Sequence, residues 1–203
     1  PATGKAQYCE TDVICQNDGV EDQCRAECLI IINGNRYCSG TLVATEGNNS
    51  ESFVLTSAHC LRDGSNNFDS TFANKCIFYF GYNTPICDAN IVSSYERSIS
   101  GSKVASSHPG KDMLLLKLSQ RPPVDYMTYE SGWNIELAPH GPATCIHHPN
   151  GDQMKISISE GDPYPISFAV DGLVENSHWL IDKWSVGITE VGSSGAPLYD
   201  ANG

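Results

Sequence analysis

Positive charge is scarce. Across 203 residues, 12 Lys and Arg stand against 24 Asp and Glu, a formal net charge of −12. That balance argues against a nucleic-acid partner, because phosphate binding needs a concentrated basic surface. Long apolar runs are also missing. No stretch approaches the roughly 18 residues that a membrane-spanning helix requires, so no membrane partner is expected. Helical periodicity is rare, and there is no internal repeat and no low-complexity tract. The N-terminus, PATGKAQYCE, is polar and has no leader-peptide core. The expectation is a chain already processed, or one given without its targeting segment. With 40% apolar and only 18% charged residues, a folded globular chain is expected.

Cysteine is abundant by contrast. Nine are present, at 9, 15, 24, 28, 38, 60, 76, 87 and 145. That density implies an oxidising, extracellular setting and a secreted protein. The number is odd, so one partner is expected outside these residues, on a second chain or a C-terminal segment. Cys24-x-x-x-Cys28 has near-ligand spacing for zinc, but no second pair answers it. No metal and no cofactor are expected. Asn48-Asn49-Ser50 has the acceptor pattern for N-glycosylation.

Short β-rich runs recur along the chain: LIII (29–32), YCSGTLVA (37–44), FVLTS (53–57), CIFYFGY (76–82), MLLLKL (113–118), TCIHHP (144–149), MKISIS (154–159), ISFAV (166–170), WSVGIT (184–189) and APLY (196–199). Turn-rich segments divide them, which argues for an all-β barrel or sandwich. LIIINGNRYCSG reads as a hairpin, with Asn33-Gly34 supplying positive φ. The stretch RPPVDYMTYESGWNIELAPHGP holds four of the eleven prolines and little alternation. It reads as a linker over 121–140, between an N-terminal segment with a first barrel (1–120) and a second barrel (141–203). The chain ends LYDANG, and Asn-Gly is a hairpin signal that should lead to another strand. The second barrel is therefore expected to be incomplete here.

Three sites offer complementary chemistry. His59 lies in TSAHC as an apolar run gives out. Asp112 opens DMLLLKL. Ser194 lies in VGSSGAPLYD, between Gly192 and Gly195. A serine hydroxyl is a poor nucleophile until a base takes its proton. Histidine suits that role because an imidazole titrates near neutrality. A carboxylate on the other ring nitrogen fixes the tautomer and stabilises the imidazolium. Glycines beside the serine let the backbone turn sharply and aim the Gly192 and Ser194 amides at a developing oxyanion. Taken singly, each site has an ordinary structural reading: a packed histidine, a turn aspartate, a flexible GSSG loop. Together they run His, Asp, Ser, spaced 53 and 82 residues apart. The α/β-hydrolase order is different, and its G-x-S-x-G elbow fails because position 196 is Ala.

CSGTLV, VLTSAHC, DMLLLKL and GSSGAPL together resemble the chymotrypsin-like serine peptidases. CETDVIC, IHHPNGDQMKIS and GITEVGSSGAPLYD make the chain more similar to the bacterial lysyl endopeptidase branch. The resemblance is scattered along the whole chain. It implies two six-stranded antiparallel Greek-key barrels with the active site between them. It implies His59, Asp112 and Ser194 as the catalytic residues. It also implies that Cys38 pairs with Cys60, that Cys15 pairs with Cys87, and that Cys9 pairs with a cysteine not present here. Cys24, Cys28, Cys76 and Cys145 are then left to form two further bridges.

Several positions depart from animal trypsins. Their aspartate just before the nucleophile is Ser193 here, and the N-terminus is Pro1, so their activation switch should not operate. Their specificity aspartate is replaced by Ile188. In the lysyl branch the resemblance implies an acid downstream of the serine, beyond Gly203. Glu190 matches the branch and is a candidate substrate-binding residue on the pocket wall, or else a solvated loop residue. His147-His148 suggests a metal pair, but neighbours on a strand face opposite sides, so a strand-end turn is the reading preferred. The expected function is a secreted serine endopeptidase acting on protein or peptide substrates through an acyl-enzyme, with cleavage after lysine. The alternatives are a catalytically silent homologue that binds partners through the same cleft, and an esterase using the same three residues.

Overall fold

The computed structural model describes residues 5–16, 18–46, 50–89, 91, 96–135, 139–167 and 176–203. The Asn48-Asn49 acceptor site and part of the ISFAV run lie outside them. Thirteen short strands are defined: β1 Thr11–Asp12, β2 Glu27–Ile32, β3 Arg36–Val43, β4 Phe53–Ser57, β5 Cys76–Phe80, β6 Ser98–Ser100, β7 Ser102–His108, β8 Met113–Leu118, β9 Ala143–His147, β10 Lys155–Ser159, β11 Tyr164–Ile166, β12 His178–Leu180 and β13 Leu198–Tyr199. The α-helix among the described residues is the short α1, Glu21–Ala26. Among the described residues no helix is long and apolar enough to cross a membrane.

The first sheet has the order β6-β5-β2-β3-β4-β8-β7, with every pair antiparallel. Its two edges are one bent strand. β6 pairs with β5, Gly101 turns the chain at φ 83°, and β7 then pairs with β8. The sheet thus closes on itself, which removes free edges. The β2–β3 hairpin turns through Asn33 (φ 51°) and Gly34 (φ 78°), as the Asn-Gly pair predicts. Inside lies an apolar cluster that includes Ile30, Ile32, Leu42, Val54, Phe78, Leu114 and Leu116, all almost fully buried.

The second sheet is smaller, β1-β10-β9-β13, with a separate β11–β12 hairpin. Its apolar cluster is Val13, Ile146, Met154, Ile156 and Tyr199. β1 comes from the N-terminal segment, so that segment packs on the second sheet. Within the 121–140 stretch, Ser131 lies against β3, donating its amide to Leu42 and accepting from the Ala44 amide, both at 2.9 Å. The architecture is all-β, with curled antiparallel sheets of the chymotrypsin-like double-barrel kind.

Two disulfides are present, Cys15–Cys87 and Cys38–Cys60. The two further bridges expected among Cys24, Cys28, Cys76 and Cys145 do not form. All four are thiols, as is exposed Cys9. Each of the four sits as a small apolar side chain. Cys28 and Cys76 place their sulfurs against the carbonyls of Gly40 and Phe72. Burial pushes the Cys24 and Cys76 thiols up to about 12 and raises those of Cys28 and Cys145 as well, which keeps them protonated and inert.

Candidate active site

The β4–β8 pairing brings His59 and Asp112 together. Its register sets Ser57 opposite Met113. His59 lies two residues beyond one strand end, in the turn Ala58–Leu61. Asp112 lies one residue before the other. Its backbone is left-handed, at φ 53°, a region that aspartate enters more readily than most residues. The ladder continues through the Ala58 amide, which donates to the Asp112 carbonyl at 3.1 Å.

From there the carboxylate takes two bonds. His59 Nδ1 lies 2.6 Å from Asp112 Oδ2, and the His59 amide donates to Oδ1 at 2.8 Å. Burial pushes the Asp112 carboxyl up, but hydrogen bonding and charge from His59 outweigh it, so the carboxyl lies below its ordinary value. An ionised Asp112 holds the His59 proton on Nδ1 and leaves Nε2 free to accept one. The disulfide to Cys38 on β3 ties down the residue next to His59.

Ser194 arrives from the other sheet, on the turn that leads into β13. Ser39 of β3, fully buried, is the staple. Its amide donates to the Ser194 carbonyl at 2.8 Å, and its hydroxyl donates to the Gly192 carbonyl at 2.9 Å. The same hydroxyl accepts from the His148 amide at 2.8 Å, and its carbonyl accepts from Thr56 Oγ1 at 2.7 Å. One serine therefore joins the Ser194 turn to both sheets. Gly195 is pressed into the same place at φ 86°, where a Cβ would lie 2.0 Å from Thr56 Oγ1 and 2.4 Å from the Ser39 carbonyl. Gly192, at φ 97°, has no room for a side chain against the Asn150 amide. Among the described residues no carbonyl accepts from the Gly192 or Ser194 amides, and no hydrogen bond joins Ser194 to the His59 ring.

Glu190 lines a pocket of about 390 Å³ with Thr189, Ser193 and Ser194. Its carboxylate accepts from the Gln7 amide and from Asn150 Nδ2, both at 3.0 Å. His147 and His148 are both fully buried and bonded within the protein. His147 Nδ1 lies 2.7 Å from Ser193 Oγ, and His148 Nδ1 lies 3.0 Å from the Asp152 carbonyl. Burial lowers their pKa values to about 3 and about 4, so neither ring is charged at neutral pH. Sequence reasoning missed Ser39, His147 and Ser193 as supports of the Ser194 turn. The buried serine in CSGT and the histidine in IHHP were visible, but their partners lie far away in the chain.

A family model described as lysyl endopeptidase, C-terminal domain, matches residues 3–203. Among solved structures, the chain is similar to the inactive form of the Rv3671c protease, at 17% identity and a TM-score of 0.58, covering 100% of this chain and 82% of that one. The active form of that protease, from M. tuberculosis, gives 15% identity and a TM-score of 0.56, with 100% and 79% covered. A Glu endopeptidase in complex with MPD gives 14% identity and a TM-score of 0.54, with 99% and 81% covered. Likeness at such low identity speaks for the fold, while the family match runs over nearly the whole chain. The chain belongs to the lysyl endopeptidase C-terminal domain family of chymotrypsin-like serine peptidases.

Proposed function

We propose that this protein is a secreted serine endopeptidase that cleaves after lysine through an acyl-enzyme. Ser194 Oγ attacks the scissile carbonyl while His59 Nε2 takes its proton. Asp112 keeps the other ring proton on Nδ1 and stabilises the imidazolium. The Gly192 and Ser194 amides receive the oxyanion, each worth about 3 kcal/mol to the transition state. His59 then passes its proton to the leaving amine, and water repeats the sequence on the acyl group. The observation that carries this reading is the double grip of Asp112 on His59, at 2.6 and 2.8 Å.

Lysine is favoured by charge. Glu190 stands in the pocket wall beside Ser194, where a substrate ammonium would meet a carboxylate already oriented by two donors. The test is cleavage of an undirected peptide mixture, with new C-termini read by mass spectrometry and Ser194→Ala as control. New ends at lysine that vanish in the control support the proposal. New ends without a lysine bias would reject the specificity, and no cleavage at all would reject the peptidase.

A second reading, a silent homologue that binds through its cleft, is favoured by one observation: no hydrogen bond joins Ser194 to His59. Such bonds are often long before substrate binds, and the same cleavage experiment separates the two.

A further inference from the structure

The second sheet buries an ionisable group that the peptidase chemistry does not use. His147 ends β9 with its ring bonded on both sides, Nδ1 to Ser193 Oγ at 2.7 Å and Nε2 to Ser157 Oγ at 3.1 Å. The proton positions follow from the neighbours. Ser157 Oγ donates to the Ile188 carbonyl at 2.5 Å, so it can only accept from His147. Nε2 therefore carries the ring proton, and Nδ1 is bare. Ser193 must then donate to Nδ1, and its oxygen accepts from the Glu190 amide at 3.1 Å. The Ser193 amide donates back to the Glu190 carbonyl at 3.0 Å, and the Ala196 amide donates to the Ser193 carbonyl at 3.0 Å. Every role in this chain is assigned, and it fixes the residue before Ser194.

Glu10 lies behind the ring. Its Oε2 is 3.7 Å from His147 Nε2, its side chain is fully buried, and no side chain hydrogen-bonds to either oxygen, the Ile188 backbone being the polar group that pulls on them. The segment that carries it is clamped to the same turn. The Ala6 amide donates to Asp152 Oδ2, the Gln7 amide to Glu190 Oε1, and β1 pairs with β10. A charged carboxylate is costly at such a site and a neutral acid much less so. Burial, with the charges of Glu190 and Asp152, raises Glu10 to about 8, against the pull of the Ile188 backbone and Lys155. Lys155 itself is paired with Asp12. Burial, with His148 and Lys155, depresses His147 to about 3. At neutral pH both members are uncharged.

We propose that Glu10 and His147 are positioning residues for the turn that presents Ser194: the neutral ring holds the Ser193 hydroxyl, and ionisation of Glu10 loosens that hold. The inference rests on Ser194 being the nucleophile. An ionised Glu10 sits within reach of the Nε2 proton and competes with Ser157 for it, which turns the ring away from Ser193.

The test uses the full chain with Ser193→Ala, His147→Gln and Glu10→Gln. Two quantities are followed from pH 6 to 10: the rate of fluorophosphonate labelling, and hydrogen exchange of residues 188–196 corrected for intrinsic rates. Ser193→Ala should slow labelling about tenfold at pH 7, the worth of one buried hydrogen bond, and should speed exchange of the turn. His147→Gln should do the same or more. In the parent protein, labelling should slow and exchange should quicken above pH 8, and Glu10→Gln should move that limit upward by at least one pH unit. Turn exchange that is the same at pH 7 and 9 in the parent, or an alkaline limit unmoved in Glu10→Gln, would overturn the proposal. If the parent takes no label at all, the nucleophile assignment falls, while exchange still decides whether Glu10 and His147 hold the turn.

Discussion

The two sheets hold their halves of the site by different means. The first positions His59 and Asp112 with an apolar core, a closed ladder and a disulfide. The second positions Ser194 with buried polar groups: His147, His148, Ser157 and Ser193 are all inside, and Ser39 reaches them from the first sheet, while the second sheet's apolar cluster has five members. Rigidity from apolar packing is tolerant, since volume-conserving changes cost little. Rigidity from hydrogen bonds is less forgiving, since one missing partner leaves a buried group unsatisfied. The placement of His59 should therefore survive conservative changes nearby, and that of the Ser194 turn should not.

The largest effect expected is on the chemistry itself. Ser194→Ala or His59→Ala should lower kcat by roughly 10⁴-fold or more, with KM little changed. Turnover of a peptide ester checks this, and equal losses from either variant would mark the two sheets as one catalytic unit.

Next comes Gly195→Ala, which sharpens the contrast. Its methyl would press into Thr56 Oγ1 and the Ser39 carbonyl at positive φ. A loss of about 2 kcal/mol or more of stability is expected, together with labelling at Ser194. A conservative core change in the first sheet, Ile30→Val, should cost about 1 kcal/mol and leave labelling intact. Similar losses of labelling from both would break the comparison.

A smaller effect on catalysis, though not on stability, is expected from Cys38→Ser with Cys60→Ser. The bridge spans 22 residues, so its removal should cost about 3 kcal/mol and lower kcat, measured as unfolding midpoint and turnover. Unchanged turnover would mean that the ladder alone fixes His59.

The smallest effect is on pH dependence, where signs can be assigned. His147 and His148 lie at about 3 and 4, below the ordinary 6.5, so their contribution is complete above 6.5 and lost as pH falls through those values. Asp112 is also lowered and adds loss at the acid end. Glu10, raised to about 8 from 4.5, and fully buried Glu27, raised by burial, act oppositely. Their contribution is complete below 4.5 and lost as pH rises through their folded values. The opposing slopes cancel between about 4.5 and 6.5, so the unfolding midpoint should be flat there and fall on both sides. A midpoint that climbs steadily from pH 5 to 9 would contradict the assignments of Glu10 and Glu27.

Legibility followed the same division. The β4 and β8 runs, the Asn33-Gly34 turn and the residues flanking them were readable, because alternation and turn chemistry are local signals. β6 and β7, within SISGSKVASSH, were not, since β7 is mostly exposed and serine-rich and so lacks an apolar period. WSVGIT read as a strand, but only Val186 bridges to Ile158. Gly187, at φ 63° and packed against the Ile156 carbonyl, leaves the ladder there. The polar supports of Ser194 were hidden for another reason. Ser39 and His148 stand 109 residues apart, and no local pattern marks a serine whose partner comes from another sheet. The four thiols misled because cysteine density reports a compartment, whereas pairing depends on geometry.

The measurement that bears most directly on the account is intact mass before and after an active-site-directed fluorophosphonate, with the adduct mapped by peptide. A single adduct on Ser194, lost in His59→Ala, is the result predicted. A folded protein with no adduct, or with an adduct on another residue, would contradict the assembly of His59, Asp112 and Ser194 into one working site.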